Sequence, residues 1–290
     1  KRQHLSGTGC IDLGDILFRP TTLKPDLTTE SIYQPAAFSH KDEDASAGYY
    51  SVVLKEEGIK AELTVTAHAG MHRYTFSSGK EASIIIDLTH LLDNEYIYEA
   101  ELEQTAANEI TGMRRTRGWT DNQYVYFVAQ FSKPFQAIDF IQNKKMVSAG
   151  VKLNGTDLQA CLSFDNSNGE PVIAKVGLSI VSEKNARENL ETEVIGFDFD
   201  AVRSAARSAW EQALSAITVK GGNTDDLKNF YTAMYHSMVV PNVVSDVNGE
   251  YRRHNMEIGQ LPKGKVQYST FSLWDTFRAW NPLMTLIDTT

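Results

Sequence analysis

The hydrophobic period of this chain changes once, and that change constrains the fold more than any single motif. From about residue 46 to about 182, apolar residues alternate with polar ones; beyond about residue 190 they recur every three or four positions. A period of two sends successive side chains to opposite faces of a strand, whereas a period near 3.6 lines one face of a helix. The expectation is a β domain followed by helices.

In the first part, Tyr49 to Leu54 is rich in β-branched and aromatic residues. Ile59 to Thr66 sets Ile59, Ala61, Leu63 and Val65 on one face and charged residues or Thr on the other. Met71 to Phe76, Ala82 to Leu88, Tyr96 to Leu102, Tyr124 to Phe131 and Ala174 to Val181 extend the pattern. Glu57-Gly58, Ser78-Gly79, Leu92-Asp93-Asn94, Asn154-Gly155 and Asn168-Gly169 are turn signals between them. Short strands at this spacing read as an antiparallel sandwich.

In the second part, Asp198 or Asp200 can cap a helix carrying Val202, Ala206, Ala209, Trp210, Ala213 and Ile217 on one side. Gly221 and Gly222 interrupt it. Thr224 can cap the next helix, with Asp225 and Asp226 complementing the positive end of its dipole. That helix has a regular stripe of Leu227, Phe230, Tyr231, Met234, Tyr235 and Met238, and Pro241 is expected to end it. A third helix is predicted from near Trp274 toward the end of the chain. The expected division is a sandwich over 1–190, a linker helix over 191–222, and further helices over 223–290.

Composition removes some classes of function. Twenty-eight Lys and Arg against 37 Asp and Glu give a net charge of −9, which argues against a nucleic-acid partner, since binding phosphates needs basic residues. No stretch approaches the roughly 18 apolar residues that span a bilayer. Cys10 and Cys161 lie far apart without a CxxC pattern, fitting neither a disulfide scaffold nor a cysteine metal site. The chain opens at Lys1-Arg2-Gln3-His4 without an initiator Met or signal-like core and closes within an apolar run at Leu283 to Thr290. The expectation is a fragment or processed piece.

Several constellations could carry chemistry. His4-Leu5-Ser6-Gly7-Thr8-Gly9-Cys10 is a small-residue loop whose His4 and Ser6 could bond to hydroxyls; it reads equally as a tight turn before a strand. It matches neither a P-loop nor a dinucleotide fingerprint. His68 and His72, four apart on a predicted strand, make a poor zinc site without a third ligand. Asp246-Val247-Asn248-Gly249-Glu250 looks like half a calcium loop but reads better as a turn. In Tyr268 to Arg278, Trp274 offers a platform for the apolar face of a sugar ring, and Asp275 offers two acceptors for vicinal hydroxyls. The rival reading has Asp275 pairing with Arg278 while Trp274 fills core.

Taken together, several segments resemble one family. They are His4 to Cys10, Met71 to Phe76, Tyr124 to Phe127 with Phe131 to Phe135, Phe230 to His236, Pro241 through Asp246 to Arg252, and Ser272-Leu273-Trp274-Asp275-Thr276. In this order they resemble glycoside hydrolase family 92, calcium-dependent exo-acting α-mannosidases found largely in bacteria that degrade N-glycans and yeast mannan. The likeness runs over essentially the whole chain.

The resemblance implies a mainly β N-terminal sandwich packed on an (α/α)6 barrel, here truncated, so that 223–290 would be its opening helices. It implies hydrolysis of terminal α-linked mannose with inversion, at an active site between the two layers. An inverting enzyme sets a proton-donating carboxyl and a water-activating carboxylate roughly 6.5–9.5 Å apart. It further implies calcium gathering the 2- and 3-hydroxyls of the mannose, α-mannoside glycans as partners, and a periplasmic, cell-surface or secreted location.

The family's acid, base and most calcium ligands fall beyond Thr290, so the resemblance assigns no catalytic residue and no metal ligand within this chain. It carries over Trp274 and Asp275 as contacts to terminal mannose, with His4 beside them. Arg278 is expected to orient Asp275, and His236 to pack between helices. Exposed apolar surface on the last helices is a further expectation, because two or three helices of a twelve-helix barrel cannot bury their stripes on one another. The rival functions are a non-catalytic carbohydrate-binding sandwich and another sandwich-plus-(α/α)6 glycosidase or phosphorylase. The sequence carries no sign of its oligomeric state.

Overall fold

The computed structural model describes residues 15–22, 36–91, 95–118, 120–147, 152–269 and 273–288. The strands of its first part are β1 (Leu17–Thr21), β2 (Glu43–Ser46), β3 (Tyr49–Leu54), β4 (Ile59–Val65), β5 (Ala69–Phe76), β6 (Ala82–Asp87) and β7 (Tyr96–Ala106). They continue with β8 (Glu109–Arg117), β9 (Gln123–Phe131), β10 (Ala137–Gln142), β11 (Lys145–Val147), β12 (Leu153–Gly155), β13 (Leu158–Phe164) and β14 (Val172–Ser179). One sheet has the order β1-β6-β13-β10-β11 and the other β12-β7-β8-β9-β14-β5-β4-β3-β2, with every pair antiparallel. The fold is therefore the expected sandwich followed by helices.

Strand alternation builds the core between the sheets. Ile84 and Ile86 of β6 and Leu158 and Leu162 of β13 meet Ile59, Tyr74, Leu102, Ile110, Phe127 and Phe131 of the larger sheet. Burying each such side chain contributes about 1.5–3 kcal/mol.

The larger sheet's other face is covered as well. Helix α1 (Glu183–Glu193) and helix α2 (Phe199–Leu214) lie on it, and Ala186, Leu190, Val194 and Phe199 pack against Tyr49, Met71 and Val128. Gly177 allows the approach: a Cβ there would stand 2.3 Å from the Ala186 carbonyl oxygen. The charged side of β4 thus faces a helix rather than water. Glu62, 4% exposed, accepts from Arg73 Nε at 2.8 Å and from the Tyr49 hydroxyl at 2.9 Å, and Arg73 also donates to Asp200 of α2 at 2.8 Å.

Beyond α2 come α3 (Thr224–Ser237), a hairpin of β15 (Glu250–Arg252) and β16 (Ile258–Gln260), α4 (Leu273–Thr276) and α5 (Trp280–Ile287). Asp198 caps α2 as expected, its side chain accepting from the Ala201 N–H. The α3 cap is Asn223, not Thr224. Its side chain accepts from the Asp225 and Asp226 N–H groups while Asp226 reaches back, which an amide acceptor one residue earlier does better than a β-branched hydroxyl. Helix α3 stops at Ser237, before Pro241. The single helix expected from Trp274 onward is two, separated by a turn over 277–279.

Candidate functional site

Helix α4 is one turn long and is held from both sides. Before it, residues 242–245 pair with 267–269: Ser269 N–H donates to Asn242 O at 2.7 Å, Val244 N–H to Gln267 O at 2.9 Å, and Val243 bridges Tyr268. After it, the Trp280 indole N–H donates to Ser237 O at the end of α3, 2.5 Å away. Thr276 turns inward and is buried. The rest of the turn points out: Leu273, Trp274, Asp275, Phe277 and Arg278 are all exposed, Trp274 to 84%.

That exposure rules out the reading in which Trp274 fills core. The Arg278 guanidinium lies over the Phe277 ring at 5.2 Å, and no ion pair between Asp275 and Arg278 occurs among the described residues. The helix breaks after Thr276, so the three-residue spacing no longer places both on one helical face. Asp275 is left as an exposed carboxylate beside an exposed indole. His4, with the rest of its loop, lies outside the described residues. His236, expected to pack, is exposed on α3 because it falls outside the stripe that Met234 and Tyr235 belong to.

The structure separates the two histidines of the β5 region. His72 faces the sandwich interior, 5.5 Å ring to ring from Phe18 and 2.8 Å from the Tyr74 hydroxyl, and burial pushes its imidazole down to about 4. His68, just before β5, lies between Glu193 and Ser245 instead. They share no ligand position. His68 lines a cleft of about 370 Å3 formed with residues 243–249 and 260–266. A second cleft, about 570 Å3, runs between α2 and the β2–β3 turn past Tyr49, Arg203 and Trp210. Trp274 and Asp275 line neither.

Residues 246–250 form a turn. Gly249, at φ 83°, donates its N–H to Asp246 O at 2.8 Å, and Asp246 N–H donates to Glu250 O at 2.8 Å. The Asp246 side chain, 6% exposed, accepts from the Ser179 hydroxyl at 2.7 Å, Asn185 Nδ2 at 2.8 Å and Asn189 Nδ2 at 2.7 Å. Arg252 adds donation to the Ile180 and Val181 carbonyls at 2.8 and 3.1 Å. This junction fastens the post-α3 segment to β14 and α1, and sequence patterning missed it because its members are single polar residues scattered over the chain. Both Asp246 oxygens are occupied by donors. Among the described residues no group of three or more His, Cys, Asp or Glu side chains gathers as a metal site would need. The residues described here do not fit a calcium site.

Comparison with known proteins gives one family. The model of the glycosyl hydrolase family 92 N-terminal domain matches residues 1–179, and that of the family 92 catalytic domain matches residues 185–290. An uncharacterized secreted glycosidase of Arthroderma benhamiae is 30% identical over 314 residues, which cover 96% of this chain and 39% of that protein. A family 92 α-mannosidase of Bacteroides thetaiotaomicron superposes with a TM-score of 0.90 at 35% identity, over 97% of this chain and 39% of its own. Its complex with mannoimidazole gives 0.89 at the same identity, over 97% and 38%. The chain spans about 39% of the length of these relatives.

Proposed function

The chain belongs to glycosyl hydrolase family 92, and on that premise we propose that it supplies the N-terminal part of an α-mannosidase, which releases terminal α-linked mannose with inversion. The observation that carries this reading is an 84%-exposed indole next to an exposed carboxylate with no ion-pair partner among the described residues, inside the segment matched to the catalytic domain. A mannose ring can stack its C–H face on Trp274 while Asp275 accepts hydrogen bonds from two adjacent hydroxyls. Such bonds to an ionised acceptor are roughly twice as strong as neutral ones. In this reading residues 1–190 form the sandwich, 191–222 the linker and 223–290 the first helices of the catalytic domain.

Inversion needs one carboxyl to protonate the departing oxygen and another to activate water on the opposite face. We assign neither role to a residue of this chain, nor any calcium ligand. Mannoside recognition draws support from the mannoimidazole complex of the Bacteroides enzyme, and secretion from the secreted Arthroderma glycosidase. Among the described residues no helix is long and apolar enough to cross a membrane.

The test is hydrolysis of an aryl α-mannoside, with and without added calcium, by the 290-residue chain and by the longer protein that contains it. The expected result is turnover by the longer protein and none by the chain alone. Turnover by the chain alone would contradict the placing of acid and base outside it. A non-catalytic sugar-binding sandwich predicts instead that mannoside affinity survives Asp275→Ala.

A further inference from the structure

His68 bonds through both ring nitrogens, and both partners are acceptors. Nδ1 lies 2.5 Å from Glu193 Oε1 at the end of α1, and Nε2 lies 2.7 Å from the Ser245 carbonyl oxygen. A neutral imidazole has one N–H and can satisfy only one of them; an imidazolium satisfies both. The proton could sit on Glu193 instead, but its other oxygen already accepts from the Thr66 hydroxyl at 2.5 Å and the His68 backbone N–H at 2.9 Å, which favours a carboxylate. The His68 and Glu193 side chains are 13% and 16% exposed, so solvent offers little replacement for a lost partner.

What His68 grips also matters. Ser245 belongs to the ladder of 242–245 with 267–269, and its hydroxyl accepts from the Gln267 N–H at 3.0 Å. The second strand of that ladder ends at Ser269, four residues before α4 begins. We propose that His68 is a proton-dependent clamp: as an imidazolium it ties the ladder leading into α4 to both the sandwich and α1, and on losing its proton it releases that ladder. The consequence for the sugar site rests on the reading of Trp274 and Asp275 given above; the clamp itself does not.

The charged groups around His68 agree in sign. Burial alone would lower its pKa, but the Glu193 carboxylate, the Ser245 carbonyl and the Asp246 carboxylate outweigh burial and hold it above the ordinary histidine value. From the loop across the cleft, Lys263 and Lys265 oppose protonation, yet both are exposed to solvent, where their effect is screened. Thr66 contributes a hydroxyl and no charge. Deprotonation leaves one acceptor without a donor and opens the weakest attachment first, which is the short ladder rather than the sheet.

Imidazole 15N NMR on the 290-residue chain reads the clamp without substrate. At pH 7 both His68 nitrogens are expected as N–H, while His72 serves as the neutral reference. A single neutral tautomer at pH 7 would overturn the proposal. Hydrogen exchange of the Val244, Gln267 and Ser269 amides provides the second readout. After correction for intrinsic rates, and relative to the Phe127 amide, their protection should fall about tenfold as pH rises from 6 to 9. His68→Gln should remove that dependence, and Glu193→Gln, which keeps the hydrogen bond but not the charge, should move it to lower pH. Protection that is independent of pH in the wild type, or unmoved by Glu193→Gln, would contradict the clamp. Loss of mannoside binding on Asp275→Ala is measured separately, so either result can fail while the other stands.

Discussion

Helices α1 and α3 make an instructive pair. Helix α3 has the more regular apolar stripe, yet among its residues only Met234 is buried. Helix α1 has no such stripe, yet Asn185, Ala186, Asn189 and Leu190 are all buried. The inner face of α1 is polar and small because it is shared between the sheet, which Gly177 lets it approach, and Asp246, which its asparagines bind. Its outer edge is fixed by Arg187, which donates twice to Glu109 of β8 at 2.8 Å. Nearby, the stripe of α3 meets only Trp210, whose ring lies 4.6 Å from Tyr235, and exposed Val239, Phe277 and Leu286 follow it. Regular periodicity marks a face meant for burial; what covers it is a separate matter.

The contrast predicts unequal costs. Asp246→Ala should have the largest effect, about 4 kcal/mol in chemical denaturation, because it leaves three buried or half-buried donors unsatisfied at once. A loss below about 1 kcal/mol would mean that α1 is not held through Asp246. Gly177→Ala should cost about 2 kcal/mol, since its methyl would collide with the backbone of α1. Leu227→Ala on α3, at a half-buried stripe position, should cost less than about 1 kcal/mol in the 290-residue chain. A cost matching that of Gly177→Ala would erase the difference between the helices.

Acid should separate the two regions as well. Arg187 holds Glu109 at about 2, and Arg73 holds Glu62 at about 2, both down from 4.5. A carboxyl with a depressed folded pKa contributes stability above its unfolded value and loses it as pH falls toward the folded one. Attachment of α1 and α2 to the sheet should therefore weaken between pH 4.5 and about 2, and Glu109→Gln should flatten that dependence for α1. The His68 clamp runs the other way. Its folded pKa is raised, so its contribution is full below the unfolded value and disappears as pH climbs past the folded one.

The same comparison explains what could be read from the sequence. The sandwich was legible because alternation over Tyr49–Leu54, Ile59–Val65 and Tyr124–Phe131 records burial against one apolar layer. The α3 stripe was legible for the same reason. Helix α1 was not singled out, because Asn185 and Asn189 register as polar wherever they point. Glu62 looked like an outward residue because its partners, Arg73 and Tyr49, are brought to it only by strand pairing. In the candidate site, Trp274 and Asp275 stood out as residue types, whereas their exposure depends on where α4 stops, which no local pattern marks. The junction at Asp246 and the His68 clamp join positions far apart in the chain, and nothing in periodicity links them.

The smallest expected change in stability goes with the largest expected change in function. Trp274→Ala, at an exposed position, should move stability by less than about 0.5 kcal/mol. The most direct measurement is kcat/KM for an aryl α-mannoside in the longer protein, comparing Asp275 with Asp275→Asn at matched thermal stability. The account predicts a fall of about a hundredfold or more, since a charged acceptor for two sugar hydroxyls is replaced by a neutral amide. Hydrolysis within twofold of the wild type would contradict it.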